Sequence, residues 1–135
     1  MNYKIEEIEG IGKAQAQKLA QAGIKTTKDL LTQGASARGR KVIAERCGVS
    51  AVRLLKWVNM ADLMRISGVG EEYSELLEAA NCNTVKQLRR RNAVNLSRRM
   101  LEINATKKLV RSPPSEAQVT KWVAQAGKLE PMLTY

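Results

Sequence analysis

The feature that most constrains this chain is a glycine hairpin pattern that occurs twice. Gly10-Ile11-Gly12 follows Ile8, and Gly68-Val69-Gly70 follows Ile66, 58 positions later. In each copy the first glycine permits a positive φ and therefore a sharp turn. The second glycine leaves no side chain beside the free N–H groups at the start of the next helix. Both copies therefore predict a helix that begins directly after a tight turn.

The hairpins belong to a longer internal repeat. At the same offset the aligned pairs are Ile5 with Leu63, Ile8 with Ile66, Leu19 with Leu77, Ala22 with Ala80, Gly23 with Asn81, Thr26 with Thr84 and Leu30 with Leu88. Lys56-Trp57-Val58 recurs as Lys121-Trp122-Val123 after 65 positions, and the loop around Pro113 can hold the extra residues. We predict an internal duplication, with one unit over residues 1–62, a second over 63–128 and a flexible tail over 129–135.

Composition favours an all-α fold. The 135 residues are 44% hydrophobic but include no Phe and only 4% aromatic residues, so the core must be largely aliphatic. Such a core suits packed helices better than sheets. No proline interrupts the first 112 residues. The apolar periodicity and the cap residues predict a helix after each hairpin and a short helix that runs through Leu30. Further helices are predicted near residues 37–47, 84–91, 93–104 and 115–126, and another begins at residue 50.

The charge is strongly positive and unevenly distributed. The net charge is +10, which favours nucleic acid but also suits an anionic membrane or an acidic protein. Residues 38–56 carry six basic residues against Glu45, and residues 86–111 carry nine against Glu102. Two dense blocks at matching places in a repeat indicate a binding surface, although solvated helix faces would also explain them.

The two hairpins differ in the residues that follow them. Lys13 follows the first, and Lys18 lies a turn and a half further on, so this hairpin is a candidate phosphate site. The alternative is a tight turn that only packs two helices. Glu71 and Glu72 follow the second hairpin, where they satisfy the helix dipole and repel a phosphate. We interpret the second hairpin as mainly structural.

The predicted interface combines the first hairpin with both basic blocks. The residues that we predict to contact nucleic acid are Gly10, Ile11, Gly12, Lys13, Lys18, Arg38, Arg40, Lys41, Arg53, Lys56, Arg89, Arg90, Arg91, Arg98 and Arg99, with Gly68, Val69 and Gly70 as weaker candidates.

Residues 42–57 also have the spacing of a helix-turn-helix motif. In that interpretation Ser50 opens a recognition helix, and Ser50, Ala51, Arg53 and Lys56 would read bases. The alternative is an ordinary αα-hairpin, in which Gly48 ends one helix and Ser50 caps the next. The lysine-preceded Trp57 and Trp122 are better explained as core residues than as a base-stacking platform.

Catalytic chemistry has little support. The chain contains no histidine, and Cys47 and Cys82 therefore lack a histidine base, so we expect no enzymatic activity. The carboxylates of residues 71–78 are better explained as a solvated acidic face than as a metal site. The two unpaired thiols and the absence of an apolar N-terminal run or a long apolar stretch predict a cytoplasmic protein without a membrane partner.

The hairpins, with Leu19/Leu77 and Ala22/Ala80, resemble the tandem helix-hairpin-helix units of DNA-repair and recombination proteins. Residues 57–73 are similar to the central segment of a bacterial family described as a helix-hairpin-helix-related domain of unknown function. The resemblance covers roughly residues 4–128. It implies duplicated helix-hairpin-helix (SAM-like) units packed as one compact helical protein.

The wider superfamily implies how the hairpins would act. There the hairpin N–H groups contact phosphates without reading sequence, sometimes through a monovalent cation held by hairpin carbonyls. This implies contacts at residues 10–13 of this chain. We expect no cofactor, with a monovalent cation at the first hairpin as the alternative that the resemblance leaves open. We expect non-sequence-specific binding of double-stranded DNA, which is favoured over the alternative, structured RNA. The alternative function is a protein-interaction module that docks an acidic partner.

Overall fold

The computed structural model describes residues 2–135, which form eight α-helices and no β-strand. The helices are α1 (Lys13–Gln21), α2 (Thr27–Gly34), α3 (Ala37–Cys47), α4 (Ala51–Leu63), α5 (Glu71–Ala79), α6 (Val85–Leu88), α7 (Ala93–Lys107) and α8 (Glu116–Ala126). The prediction of a compact all-α protein is confirmed. No helix in the described residues has both the length and the apolarity that a membrane crossing requires.

Local signals in the sequence explain where most helices begin and end. The side chain of Ser50 accepts a hydrogen bond from Arg53 N, and Thr26, Ser36, Thr84, Asn92 and Ser115 cap their helices in the same way. Gly48 ends α3 in the left-handed conformation, with φ 63°, as predicted. Asn81, aligned with Gly23, has a positive φ as Gly23 does.

The core consists of two apolar clusters that meet along α4. Met60, Ala61 and Met64 pack into the first cluster, which extends from Ile5 to α4, whereas Leu63 packs into the second, which extends to α8. The predicted boundary between residues 62 and 63 therefore lies within a helix. The two apolar clusters share α4.

Asp62 is the polar link at this junction. Its side chain is buried, with a residue exposure of 2%. Asp62 Oδ2 accepts a hydrogen bond from Val85 N (2.8 Å) at the start of α6, and Arg65 Nη1 donates to Asp62 Oδ1 (2.9 Å). Arg65 Nη2 also donates to Glu130 O (2.7 Å). One carboxylate thus connects α4, α6 and the C-terminal segment.

The C-terminal segment is anchored, in contrast to the flexible tail expected from the sequence. Leu133 is 9% exposed and belongs to the first apolar cluster. Thr134 N donates to Ala35 O (2.8 Å), and Tyr135 Oη donates to Asn59 Oδ1 (3.0 Å). The segment therefore closes the core of the first unit after the chain has completed the second.

We expect Asp62→Ala to destabilise the fold by about 3 kcal/mol, because it leaves the half-buried guanidinium of Arg65 and the N–H of Val85 without their acceptor. Thermal unfolding followed by circular dichroism should show a melting temperature lower by roughly 10 °C.

The matched control is Glu102→Ala. Glu102 forms the same i,i+3 pair with Arg99 (3.5 Å), but both side chains are more than half exposed. This control should change stability by less than about 0.5 kcal/mol. Equal effects of the two substitutions would show that Asp62 is no more than another surface carboxylate.

Candidate nucleic-acid interface

The first hairpin presents an open helix start. Gly10 has φ 92°, and Ile11 N donates to Ile8 O (3.1 Å), which closes the turn while Ile11 anchors it in the core. Gly12 has extended backbone angles and precedes α1, and no side chain in the described residues caps this helix. Gly10, Gly12 and Lys13 are all exposed. The first N–H groups of α1 therefore face solvent beside a cation.

The second hairpin has the same backbone geometry but different surroundings. Gly68 has φ 89°, and Val69 N donates to Ile66 O (3.1 Å). Gly70 precedes α5, again without a side-chain cap in the described residues. The first residue of α5 is the exposed Glu71, whereas the first residue of α1 is Lys13. The negative charge at this helix start comes from the chain itself.

A tryptophan lies against each hairpin. A Cβ atom on Gly10 would lie 3.3 Å from Trp57 Nε1, and one on Gly68 would lie 3.5 Å from Trp122 Nε1. Trp57 and Trp122 are 2% and 3% exposed, so the prediction that they are core residues is confirmed. The two hairpins are 58 positions apart and the two tryptophans are 65 positions apart. Each indole nitrogen nevertheless lies against the first glycine of a hairpin.

This packing brings Arg53 to the first hairpin. Its guanidinium carbon lies 5.1 Å from the centroid of the Trp57 ring, whose nitrogen edge is at Gly10. Lys13 follows this hairpin in the sequence, whereas Arg53 is forty residues away and reaches the hairpin through Trp57. Sequence reasoning named both residues without any signal that Arg53 lies over Trp57.

Lys18 belongs to the same unit through the end of α3. Cys47 Sγ donates to Lys18 O (3.7 Å), so α1 and α3 touch there. Burial raises the pKa of Cys47, and the nearby Arg46 and Lys18 charges partly offset that rise. Arg46 is exposed and was not among the predicted contacts. Burial also raises the pKa of Cys82 to about 11, which fits both thiols as inert core groups.

Two of the predicted contact residues have structural roles instead. Arg40 is only 9% exposed, and its guanidinium donates to Gly34 O (2.9 Å), Ala35 O (3.0 Å) and Thr134 O (2.7 Å). Arg91 Nη1 donates to carbonyls at the end of α5, at 3.4 and 3.5 Å. Both guanidinium groups donate to backbone carbonyls, but only Arg40 is buried, whereas Arg91 stays partly exposed.

The other predicted cations are exposed and lie on several elements. Arg38 and Lys41 are on α3, Arg89 and Arg90 follow α6, and Arg98 and Arg99 are on α7. Lys56 on α4 pairs weakly with Glu78 (3.9 Å), and Arg99 pairs with Glu102 (3.5 Å). Because α7 packs on α5 and α8, its arginines extend the surface of the second unit.

The helix-turn-helix interpretation loses support. Ser50 is used as a cap, Arg53 lies over Trp57, and α4 is buried from Trp57 to Leu63. Only its first two turns are accessible. The structure favours the αα-hairpin interpretation, with α4 as the central core helix.

Carboxylates gather where the first hairpin meets α5, and we call Glu9, Glu71, Glu75 and Glu78 the junction acidic cluster. Burial, and then the Glu9 carboxylate, raise the pKa of Glu71 and of Glu75. Burial also raises the pKa of Glu78, whose Oε2 atom is buried without a hydrogen-bond partner. No group of side chains in residues 2–135 is arranged to hold a metal ion. The cluster makes one flank of the first hairpin negative.

A family model described as "Domain of unknown function (DUF4332)" matches residues 9–129. The matched region includes both hairpins and all eight helices. No curated protein and no solved structure matches the chain.

We expect Glu75→Gln to raise the melting temperature at neutral pH. A carboxyl group whose pKa is raised in the fold destabilises it once ionised, so this cost is absent below its ordinary pKa of 4.5 and is complete above the raised value. Differential scanning calorimetry should show a gain of roughly 1–3 °C at neutral pH that disappears near pH 4.

The control is Glu45→Gln, because Glu45 is an exposed carboxylate among the cations of α3. It should give no stabilisation. A gain that is independent of pH, or that both variants share, would mean that the ionised carboxylate of Glu75 is not its source.

Proposed function

We propose that this chain, which belongs to the DUF4332 family of domains of unknown function, binds nucleic acid through backbone phosphates without reading base sequence, with DNA preferred over RNA. One observation carries the proposal. The start of α1 has no side-chain cap in the described residues and begins with the exposed Lys13, in a chain of net charge +10. A helix N-terminus with adjacent cations suits a phosphate group.

The proposal includes the interpretation of the chain as duplicated helix-hairpin-helix units of the SAM-like type. It is supported by the matching φ values of Gly10 and Gly68, 92° and 89°. It is also supported by the equal 3.1 Å hydrogen bonds that close the turns, and by an indole at each turn. Sequence pairs aligned at one offset agree with these geometric similarities.

The groups at the first hairpin dictate the kind of recognition. Backbone N–H groups at a turn approach phosphates but cannot distinguish base edges, so contacts of this kind position the protein without specifying sequence. Glu71 at the second hairpin repels phosphate, which leaves one strong contact point. The exposed arginines of α7 and of the segment after α6 would add attraction that weakens as salt rises.

We expect Lys13→Glu to weaken binding of a fluorescein-labelled DNA duplex by about tenfold or more at low salt, because it places a carboxylate beside the helix start. Glu71→Lys should leave the affinity unchanged or raise it. Fluorescence anisotropy at low and moderate salt, with duplex RNA and single strands as comparisons, measures both effects.

The matched control is Lys128→Glu, an identical charge change at an exposed residue outside the predicted surfaces. Similar losses in Lys13→Glu and Lys128→Glu would indicate generic charge attraction. Absence of binding to any nucleic acid at low salt would reject the function.

A specific observation also favours a second function, docking of an acidic protein. An apolar groove of about 520 Å³ runs between α3 and α4, with Ala44, Ala51 and Leu55 among its lining residues. Val52 beside it is 81% exposed. Lys41 lines the groove, with Arg38 one turn earlier on α3, so an amphipathic helix with acidic flanks is the complementary partner. Ala51 and Arg53 lie roughly 200° apart around α4, so the groove and the hairpin are separate surfaces.

Ala51→Glu tests the docking function. We expect it to weaken binding of a synthetic helical peptide of about 15 residues, with a leucine stripe and glutamate flanks, by about tenfold. Duplex DNA binding should be unchanged. Ala14→Glu, the same change in the first turn of α1, should weaken duplex DNA binding and leave peptide binding unchanged. Isothermal titration calorimetry measures both ligands, and a peptide affinity that is equal in the two variants would reject the groove.

A further inference from the structure

The indole N–H of Trp57 has no acceptor in the described part of the chain. Trp57 is 2% exposed, and an indole nitrogen is only a donor, which in a buried tryptophan is normally paired. Within residues 2–135 the one fully buried side-chain polar atom without a partner is Glu78 Oε2. Trp57 Nε1 is unpaired but is not one of the fully buried atoms, so it reaches the surface. There it can donate a hydrogen bond to an external acceptor.

The donor opens at the first hairpin. A Cβ atom on Gly10 would lie 3.3 Å from Trp57 Nε1, closer than ordinary van der Waals contact. A side chain at this position would therefore crowd the indole nitrogen. Gly10 thus serves two purposes, since its φ of 92° makes the turn and its missing side chain leaves the indole donor accessible.

Two cations lie near this donor, at a hairpin whose one flank carries the junction acidic cluster. The guanidinium of Arg53 lies over the ring at 5.1 Å, and Lys13 starts the adjacent helix. An anion at the hairpin could accept a hydrogen bond from this N–H in place of water and would be attracted by both cations.

We propose that Trp57 Nε1–H, the free N–H groups at the start of α1 and the Arg53 guanidinium together bind one tetrahedral oxyanion of the phosphate class. The identification of that anion as a phosphodiester of nucleic acid rests on the proposed function. Trp57 is then a direct ligand contact as well as a core residue.

Trp122 provides an internal comparison. Its nitrogen faces Gly68 in the same way, at 3.5 Å from a Cβ there, but its ring packs against Tyr73 with centroids 5.1 Å apart. The adjacent helix starts with Glu71 in place of Lys13. The residue that aligns with Arg53 at the spacing of the tryptophans is Gln118. An anion at this indole would meet carboxylates instead of cations.

Proton–nitrogen correlation NMR of the full chain tests the proposal, because two tryptophans give two indole N–H signals. The ¹⁵N-labelled protein is titrated with inorganic phosphate at constant ionic strength and, separately, with a DNA duplex. We expect the Trp57 signal to shift saturably with both ligands and the Trp122 signal to shift little. Trp57→Phe and Trp122→Phe assign the two signals.

The same variants measure the contribution to affinity. Trp57→Phe keeps an aromatic ring in the core and removes the donor, so phosphate and duplex affinities should fall about tenfold. Trp122→Phe should change them by less than about twofold. Arg53→Gln places at this exposed position the residue type that Gln118 has in the aligned position. It should weaken phosphate binding several-fold, and it remains informative if Trp57→Phe does not fold.

The outcomes separate the two proposals. Duplex binding with an unmoved Trp57 signal, or with equal shifts of both indoles, overturns the Trp57 contact and leaves nucleic-acid binding standing. A phosphate-dependent shift of Trp57 without duplex binding supports the oxyanion site and rejects nucleic acid as its ligand. Absence of a Trp57 shift with either ligand overturns the oxyanion site.

Discussion

The contact between a hairpin glycine and the edge of an indole is the interaction on which this structure depends. The positive φ of Gly10 favours glycine, and a Cβ atom there would also make a tight contact with Trp57 Nε1, at 3.3 Å. The large, rigid ring supports the turn from inside, and the next helix consequently begins at the surface with its N–H groups exposed. The same contact therefore contributes to the packing of the core and lies at the candidate binding site.

A single helix then joins the two units built in this way. The last turn of α4 contributes to both apolar clusters, and Asp62 at that turn binds the start of α6 and Arg65. Arg65 in turn holds the C-terminal segment, which returns to close the first cluster. A buried carboxylate has a high desolvation cost, so all of its partners must be in place together. We infer that the units unfold as one cooperative body.

The sequence was a good guide to elements and a poorer guide to the site. Cap residues and glycines predicted the ends of α3 and the starts of α4 and α8 closely, because these signals act within about four residues. Counting charges placed Arg40 and Arg91 in a binding surface, but their guanidinium groups satisfy carbonyls. One partner of Arg40 is Thr134, 94 residues away. The approach of Glu9 to α5 had no local signal either.

By itself, the sequence determined the all-helical fold, the positions of both turns, the net positive charge and the contrast between Lys13 and Glu71, since all of these depend on residue type and short spacing. Only the tertiary structure decided that Arg53 lies over Trp57, that the indole nitrogen faces Gly10, and that the C-terminal segment packs on the first unit. The physical reason is that burial and side-chain pairing depend on how distant helices pack, whereas helix starts and turns do not.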